Sequence, residues 1–142
     1  MRGDQRLISV VMGDSSENQR AVDAQALLNW GFRFYETHKL YDADKPVQTL
    51  ELWKGATDAV KVGVIAPLLV STPRGKYDRL TASMDLPKSL QAPIVKGQKI
   101  GMVKVELDGK VVASAPLVAL SAVEEGGFFK RLWHALLMWW TE

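Results

Sequence analysis

Asp108-Gly109 sits between two runs whose residues alternate in polarity, Ile100 to Leu107 and Lys110 to Ser114. A two-residue hairpin of type I′ needs positive φ at both central positions. Asp-Gly tolerates that geometry, and the turn matches the twist of the flanking strands. The two runs are therefore expected to pair antiparallel. Pro116 breaks the return strand, and Leu117 to Leu120 resumes it. The residues before the hairpin read the same way. Gln48 to Trp53 alternates polar and apolar, and Gly63 to Thr72 is a β-branched apolar run interrupted by Pro67. Pro73-Arg74-Gly75 makes a turn, Asp78 to Leu86 alternates again, and Pro87, Pro93 and Gly97 punctuate the middle. Several short strands at close spacing from about Leu40 to Val123, with no helix between them, point to a mainly β fold, a small antiparallel β-sandwich or barrel.

The two ends depart from this pattern. Arg6 to Met12 is a short β-branched apolar run closed by Gly13, which reads as a buried strand. Ser16 followed by Gln19 has the spacing of a capping box, so a helix is expected from about Glu17 to Tyr35. Ala21, Ala24, Leu28, Phe32 and Tyr35 recur along one face of that helix, and Val22, Leu27, Trp30 and Phe34 widen it. So broad an apolar surface calls for partners on more than one side, and one strand with a small β domain is thin cover.

The last segment, residues 124–142, opens with Glu124-Glu125, a solvated linker, and the Gly126-Gly127 break. Wound at ~100° per residue from Phe128, it divides cleanly. Phe128, Phe129, Leu132, Trp133, Leu136, Leu137, Trp139 and Trp140 fall in one half-circle, and Lys130, Arg131 and His134 in the other. It is too short and too charged to span a bilayer. Aromatic and aliphatic residues on one face with Lys and Arg on the other describe a helix lying in a membrane surface. Tryptophan suits the headgroup level, its ring being apolar and its N–H polar. The expected membrane-binding residues are those eight apolar side chains for insertion, with Lys130 and Arg131 on anionic headgroups. Packed on its own small domain, this face would exceed what the core needs; left in water, it would invite aggregation.

Other chemistry finds little footing. A formal net charge of +2 without any basic run argues against nucleic-acid binding. No cysteine is present, which excludes disulfides, thiolate metal sites and a cysteine nucleophile. His38 and His134 have no second ligand at metal spacing, so no metal and no cofactor is expected. His38 reads as a loop residue, and Asp42, Asp44 and Lys45 as a charged loop before Pro46. The N-terminal residues lack the apolar run of a signal peptide. As written, then, the chain either works in the cytosol or is a piece of something longer.

Arg6-Leu-Ile-Ser-Val-Val-Met-Gly13 and Leu27-Leu-Asn-Trp-Gly-Phe-Arg-Phe-Tyr-Glu-Thr37 resemble the end of the catalytic domain in the low-molecular-weight penicillin-binding proteins, the D-alanyl-D-alanine carboxypeptidases. The resemblance continues in order through Thr72-Pro-Arg-Gly75, Gln91-Ala-Pro93, Asp108-Gly109, Pro116-Leu-Val-Ala-Leu120 and Glu125-Gly-Gly-Phe-Phe129. It implies three parts. Residues 1–37 would be the last strand and helix of an α/β catalytic domain, residues 38–123 the β-rich second domain, and residues 124–142 the membrane-anchoring helix. It also implies an enzyme that removes the terminal D-alanine from peptidoglycan stem peptides through an acylated serine, at the periplasmic face of the inner membrane. The family's chemistry needs Ser-x-x-Lys and Lys-Thr-Gly. No serine here has a lysine three residues on, and Lys-Thr-Gly is absent. Ser16-Glu17-Asn18 spells Ser-x-Asn but follows the place where the Lys-Thr-Gly strand would end, so it reads as a helix start. No catalytic residue is therefore expected, and the chain alone is expected to be inactive. Stem peptides would reach it only through the missing catalytic domain.

Two readings follow. In one, the β domain is a spacer and the last helix its anchor on an anionic membrane. In the other, the chain is a stand-alone interaction module, its last helix docking on a protein and its strand edges recruiting partners. Either way, residues 6–35 lack sheet neighbours and are expected to be poorly supported or to pair with another copy along an open edge.

Overall fold

The computed structural model describes residues 1–127. Ser16 opens the first element: its Oγ accepts the amide of Gln19 at 3.2 Å, and helix α1 runs Glu17–Phe34 behind it. Only half of the capping box forms. The Gln19 side chain donates to Asp23 Oδ1 at 2.9 Å instead of reaching back to the cap.

The helix passes straight into strand β1, Tyr35–Tyr41. Tyr35, expected on the helix face, is the first strand residue, opposite Pro73. Tyr-Glu-Thr-His is a poor helix end and a fair strand start, and the ladder to a partner strand decides between them. Then follow β2 (Gln48–Trp53), β3 (Ala59–Gly63) and β4 (Leu68–Pro73). A 3-10 turn at Tyr77–Arg79 leads to β5 (Leu80–Asp85), β6 (Ser89–Gln91), β7 (Lys99–Leu107) and β8 (Lys110–Ala119). The fold is mainly β. β1 and β4 form a two-stranded antiparallel sheet, and the other six strands form a sheet in the order β5-β7-β8-β3-β2-β6.

The β7–β8 turn has Asp108 at φ 53° and Gly109 at φ 79°, the two positive values that its sequence requires. Three features differ from the sequence reading. β6 pairs with β2 in parallel, although every other strand pair is antiparallel. The run 63–72 is split between two strands, β3 ending at Gly63 and β4 starting after Pro67. And β8 runs unbroken through Pro116, opposite Met102 of β7. On its other side β8 meets β3 only at Val118 and Ala119. A proline is tolerated on a stretch with a neighbour on one side, where a missing N–H costs no ladder bond.

Alternation builds the core. Leu50 and Leu52 of β2 turn inward with Val60 and Val62 of β3, and with Ala92, Ile94, Ala119 and Val123 they form one buried cluster. The second joins Val64, Leu68 and Val70 to Val103, Val105 and Leu117. Leu68 and Val70 belong to the two-stranded sheet, and Val103, Val105 and Leu117 to the six-stranded one. The smaller sheet thus closes over the β7–β8 half of the larger. β8 carries Leu117 into one cluster and Ala119 into the other, which ties the two halves together.

Residues 6–12 form no strand. Alternate apolar side chains stand in solvent, Ile8 76% exposed, Val10 74% and Met12 85%, while Leu7 and Val11 are half-buried and Leu7 lies against Gly31 of α1. The N-terminal residues make only the Arg2–Gln5 bridge among themselves, and an apolar run with no neighbouring strand has nothing to complete its backbone hydrogen bonds.

Candidate docking surface

α1 is covered on one side only. Its buried residues are Gly31 and Phe32. The N-terminal residues supply part of that cover. The Arg2 guanidinium lies 4.6 Å from the centre of the Phe32 ring and donates to Asn29 Oδ1 at 3.3 Å, while Gln5 Nε2 donates to the carbonyl of Tyr35 at 3.2 Å. On the other side, Val22, Leu27, Trp30 and Phe34 are about half exposed, Trp30 at 55%. Trp30 packs on Phe34 and Tyr35 with ring centres 5.4 and 5.7 Å apart. A shallow depression between Trp30, Phe34, Tyr35, Pro73 and Arg74 continues this patch onto the β4 turn. Fully burying a large apolar side chain gains ~1.5–3 kcal/mol, so four half-exposed ones leave several kcal/mol unrealised. Leu27, Trp30, Phe34 and Tyr35 form adjoining apolar surface of the kind that marks a docking face.

The junction between α1 and β1 is held from across the fold. Arg74 donates through Nε to the Arg33 carbonyl at 3.0 Å, through Nη2 to the Phe32 carbonyl at 2.9 Å, and through its own amide to the Phe34 carbonyl at 2.8 Å. These carbonyls are ones that a helix leaves unpaired at its C-terminal end, where a cation is also favoured by the helix dipole. Glu36 completes the arrangement. Its Oε1 accepts the Gly75 amide at 2.9 Å, its Oε2 lies 3.9 Å from Arg74 Nη1, and His38 Nε2 is 3.6 Å away. The Gly75 hydrogen bond, then His38 and Arg74, hold the Glu36 carboxyl below its ordinary range. His38 is therefore a strand residue, opposite Val70 and with its ring 4.1 Å from that of Tyr77, and not a loop residue. Asp42 bridges Lys39 at 2.8 Å and Lys45 at 3.3 Å; those hydrogen bonds lower its carboxyl and raise the Lys39 ammonium.

Elsewhere, after β2, the chain closes on itself beside an exposed tryptophan. Trp53 ends β2 on the outward face, 50% exposed. Lys54 follows at φ 59°, and its carbonyl accepts the Gly126 amide at 2.9 Å. Gly55 bridges Glu125, and the Ala56 amide donates to the Glu124 carbonyl at 3.0 Å.

The residues expected to bind a membrane, Phe128 through Trp140, lie outside the described residues. No described helix is long and apolar enough to cross a membrane. Among the described residues no grouping of His, Asp and Glu could hold a metal ion. Sequence reading missed the Arg74 clamp, whose partners are backbone carbonyls some forty residues away, and gave Trp53 no role beyond ending a strand.

Comparison with known proteins converges. The model of the penicillin-binding protein 5 C-terminal domain matches residues 35–125. The chain is 42% identical over 134 residues to the D-alanyl-D-alanine carboxypeptidase DacA of Haemophilus influenzae, covering 94% of this chain and 34% of that protein. It is 40% identical over 138 residues to DacC of Escherichia coli, with 96% and 34% covered. Among solved structures, penicillin binding protein 5 from Haemophilus influenzae aligns with a TM-score of 0.75 at 39% identity, covering 81% of this chain and 34% of that one. The DacD carboxypeptidase from Francisella tularensis aligns with a TM-score of 0.53 at 26% identity, with 80% and 29% covered. The chain thus spans about a third of the length of the relatives it matches.

Proposed function

The chain belongs to the penicillin-binding protein 5 C-terminal domain family, the C-terminal portion of D-alanyl-D-alanine carboxypeptidases, and on that premise we propose that it is the spacer between a catalytic body and a membrane. The enzyme it would serve trims the terminal D-alanine from peptidoglycan stem peptides. This chain carries neither Ser-x-x-Lys nor Lys-Thr-Gly, so the chemistry belongs to the catalytic body.

The observation that carries the reading is the one-sided cover of α1. On this reading residues 1–37 are the last strand and helix of the catalytic domain. Ile8, Val10 and Met12 would regain sheet neighbours there, and Leu27, Trp30 and Phe34 would be buried against it. Residues 38–123 would be the β domain, a two-sheet sandwich whose strand β1, paired with β4, already begins at Tyr35. Residues 124–142 attach it to an anionic membrane surface through Phe128, Phe129, Leu132, Trp133, Leu136, Leu137, Trp139 and Trp140, with Lys130 and Arg131 on the headgroups. A single interfacial helix binds reversibly, so the attachment is peripheral, at the periplasmic face of the inner membrane. The stand-alone interaction module is the weaker reading, because the likeness to carboxypeptidases runs through 94% of the chain.

Co-sedimentation with anionic vesicles tests the anchor, comparing the full chain with one ending at Gly126. Binding by the full chain alone supports it. Equal behaviour of both chains contradicts it and favours a protein partner for the aromatic stripe.

A further inference from the structure

We infer that Trp53, with Lys54 beside it, is a second membrane contact that sets how the β domain stands on the lipid surface; this rests on the anchoring role proposed for residues 124–142. A lone exposed tryptophan is ordinary on a protein surface. What distinguishes this one is its place.

The chain leaves the described domain at that point. The Gly126 amide is bonded to the Lys54 carbonyl, and Glu125 bridges Gly55. Two residues span at most ~7 Å of extended chain, so Phe128, the first residue of the aromatic stripe, stays within about that distance of Gly126. Trp53 thus flanks the point at which the chain leaves toward Phe128 and Phe129. The backbone that fixes this exit is built: Lys54 holds a left-handed conformation, and an added Cβ on Gly55 would meet Leu52 Cδ2 at 2.8 Å and the Thr57 carbonyl oxygen at 2.8 Å.

The chemistry selects the occupant. A tryptophan ring with one N–H suits the headgroup level of a bilayer, where an apolar body and a polar edge are both accommodated. Lys54 adds one ammonium, but Glu124 and Glu125 precede the exit, so this rim is not basic. The contact is therefore carried by the ring more than by charge. One attachment leaves the tilt of a spacer open; a second contact at Trp53 fixes it.

The test uses the full chain and vesicles of mixed phosphatidylglycerol and phosphatidylethanolamine. Trp53→Ala should weaken partitioning roughly fivefold, the share expected from a half-exposed ring, and Trp53→Phe should restore most of it. Because the chain has no cysteine, a polarity-sensitive dye can be placed uniquely. At Glu51→Cys, on the same outward face of β2, its emission should shift to the blue on vesicle binding; at Ser114→Cys, on β8, it should not. If Trp53→Ala partitions like the parent and the dye at position 51 stays silent while the chain ending at Gly126 fails to bind, the second contact is overturned and the anchor stands. If the chain ending at Gly126 binds as well as the full chain, the anchor itself fails and this inference falls with it.

Discussion

The guanidinium of Arg74 donates to the carbonyl of Phe32 at 2.9 Å, joining the turn after β4 to the end of α1 across 42 residues of sequence. With the further bonds to Arg33 and Phe34, it makes the helix-to-strand junction a part of the β domain and not a free linker. On the proposed reading this is where the orientation of the catalytic body is transmitted.

Arg74→Ala should therefore loosen the junction and spare the sheet. A charged hydrogen bond on a half-exposed side chain is worth about 1–2 kcal/mol, or roughly 5–30-fold in a local opening equilibrium. Hydrogen exchange should accelerate by that factor for amides near residues 31–36 and hardly change in β7 and β8. Arg74→Lys should not rescue it, since a lysine lacks the planar fork that serves two carbonyls. Uniform acceleration across the chain would contradict the local clamp.

Glu36 makes that junction acid-sensitive. Its folded carboxyl titrates below the ordinary 4.5, chiefly because it accepts the Gly75 amide. A carboxyl depressed by folding stabilises the fold above its unfolded value, and that contribution is lost as pH falls through the folded value. Protection near residues 34–36 and 75 should drop in this acid window in the parent chain. Glu36→Gln should flatten the dependence there and start from lower protection at neutral pH. An unchanged acid profile in the variant would rule the carboxyl out as the cause.

Leu117 is fully buried, in the cluster shared by the two sheets. Leu117→Ala should cost about 2–5 kcal/mol in a chemical denaturation series, from lost burial and the cavity left behind. A loss below ~1 kcal/mol would mean that the smaller sheet does not close the core as described.

Gly109→Val should cost about 1–2 kcal/mol, because a β-branched residue is strained at φ 79°. Asp108→Asn should be nearly neutral, since asparagine also accepts the left-handed region. Equal losses for the two would point to something other than backbone conformation, for instance the Arg79–Asp108 ion pair.

Much of the fold is legible in the sequence wherever the signal is local. Ser16 announces the start of α1, alternation delimits β2 at Gln48–Trp53, and Asp108-Gly109 specifies its own turn. The reading fails where distant partners decide. Residues 6–12 have strand composition but no neighbour, and Tyr35 joins a strand because β4 offers it a ladder. Pro116 stays within β8 because that stretch has one neighbour, and β6 pairs in parallel for reasons no local pattern records. The candidate site divides the same way. The excess apolar surface of α1 follows from helical spacing, whereas the Arg74 clamp and the nearness of Trp53 to Gly126 exist only once the chain is folded.

The most direct measurement replaces the C-terminal third of the Haemophilus influenzae carboxypeptidase with this chain and follows release of D-alanine from a D-Ala-D-Ala peptide. A spacer whose α1 completes the catalytic domain predicts a stable, active hybrid, whose thermal stability falls when Leu27→Ser and Trp30→Ala are introduced, although the same changes scarcely alter the isolated chain. An inactive or unfolded hybrid, or one indifferent to both substitutions, would contradict the docking of α1 against a catalytic body.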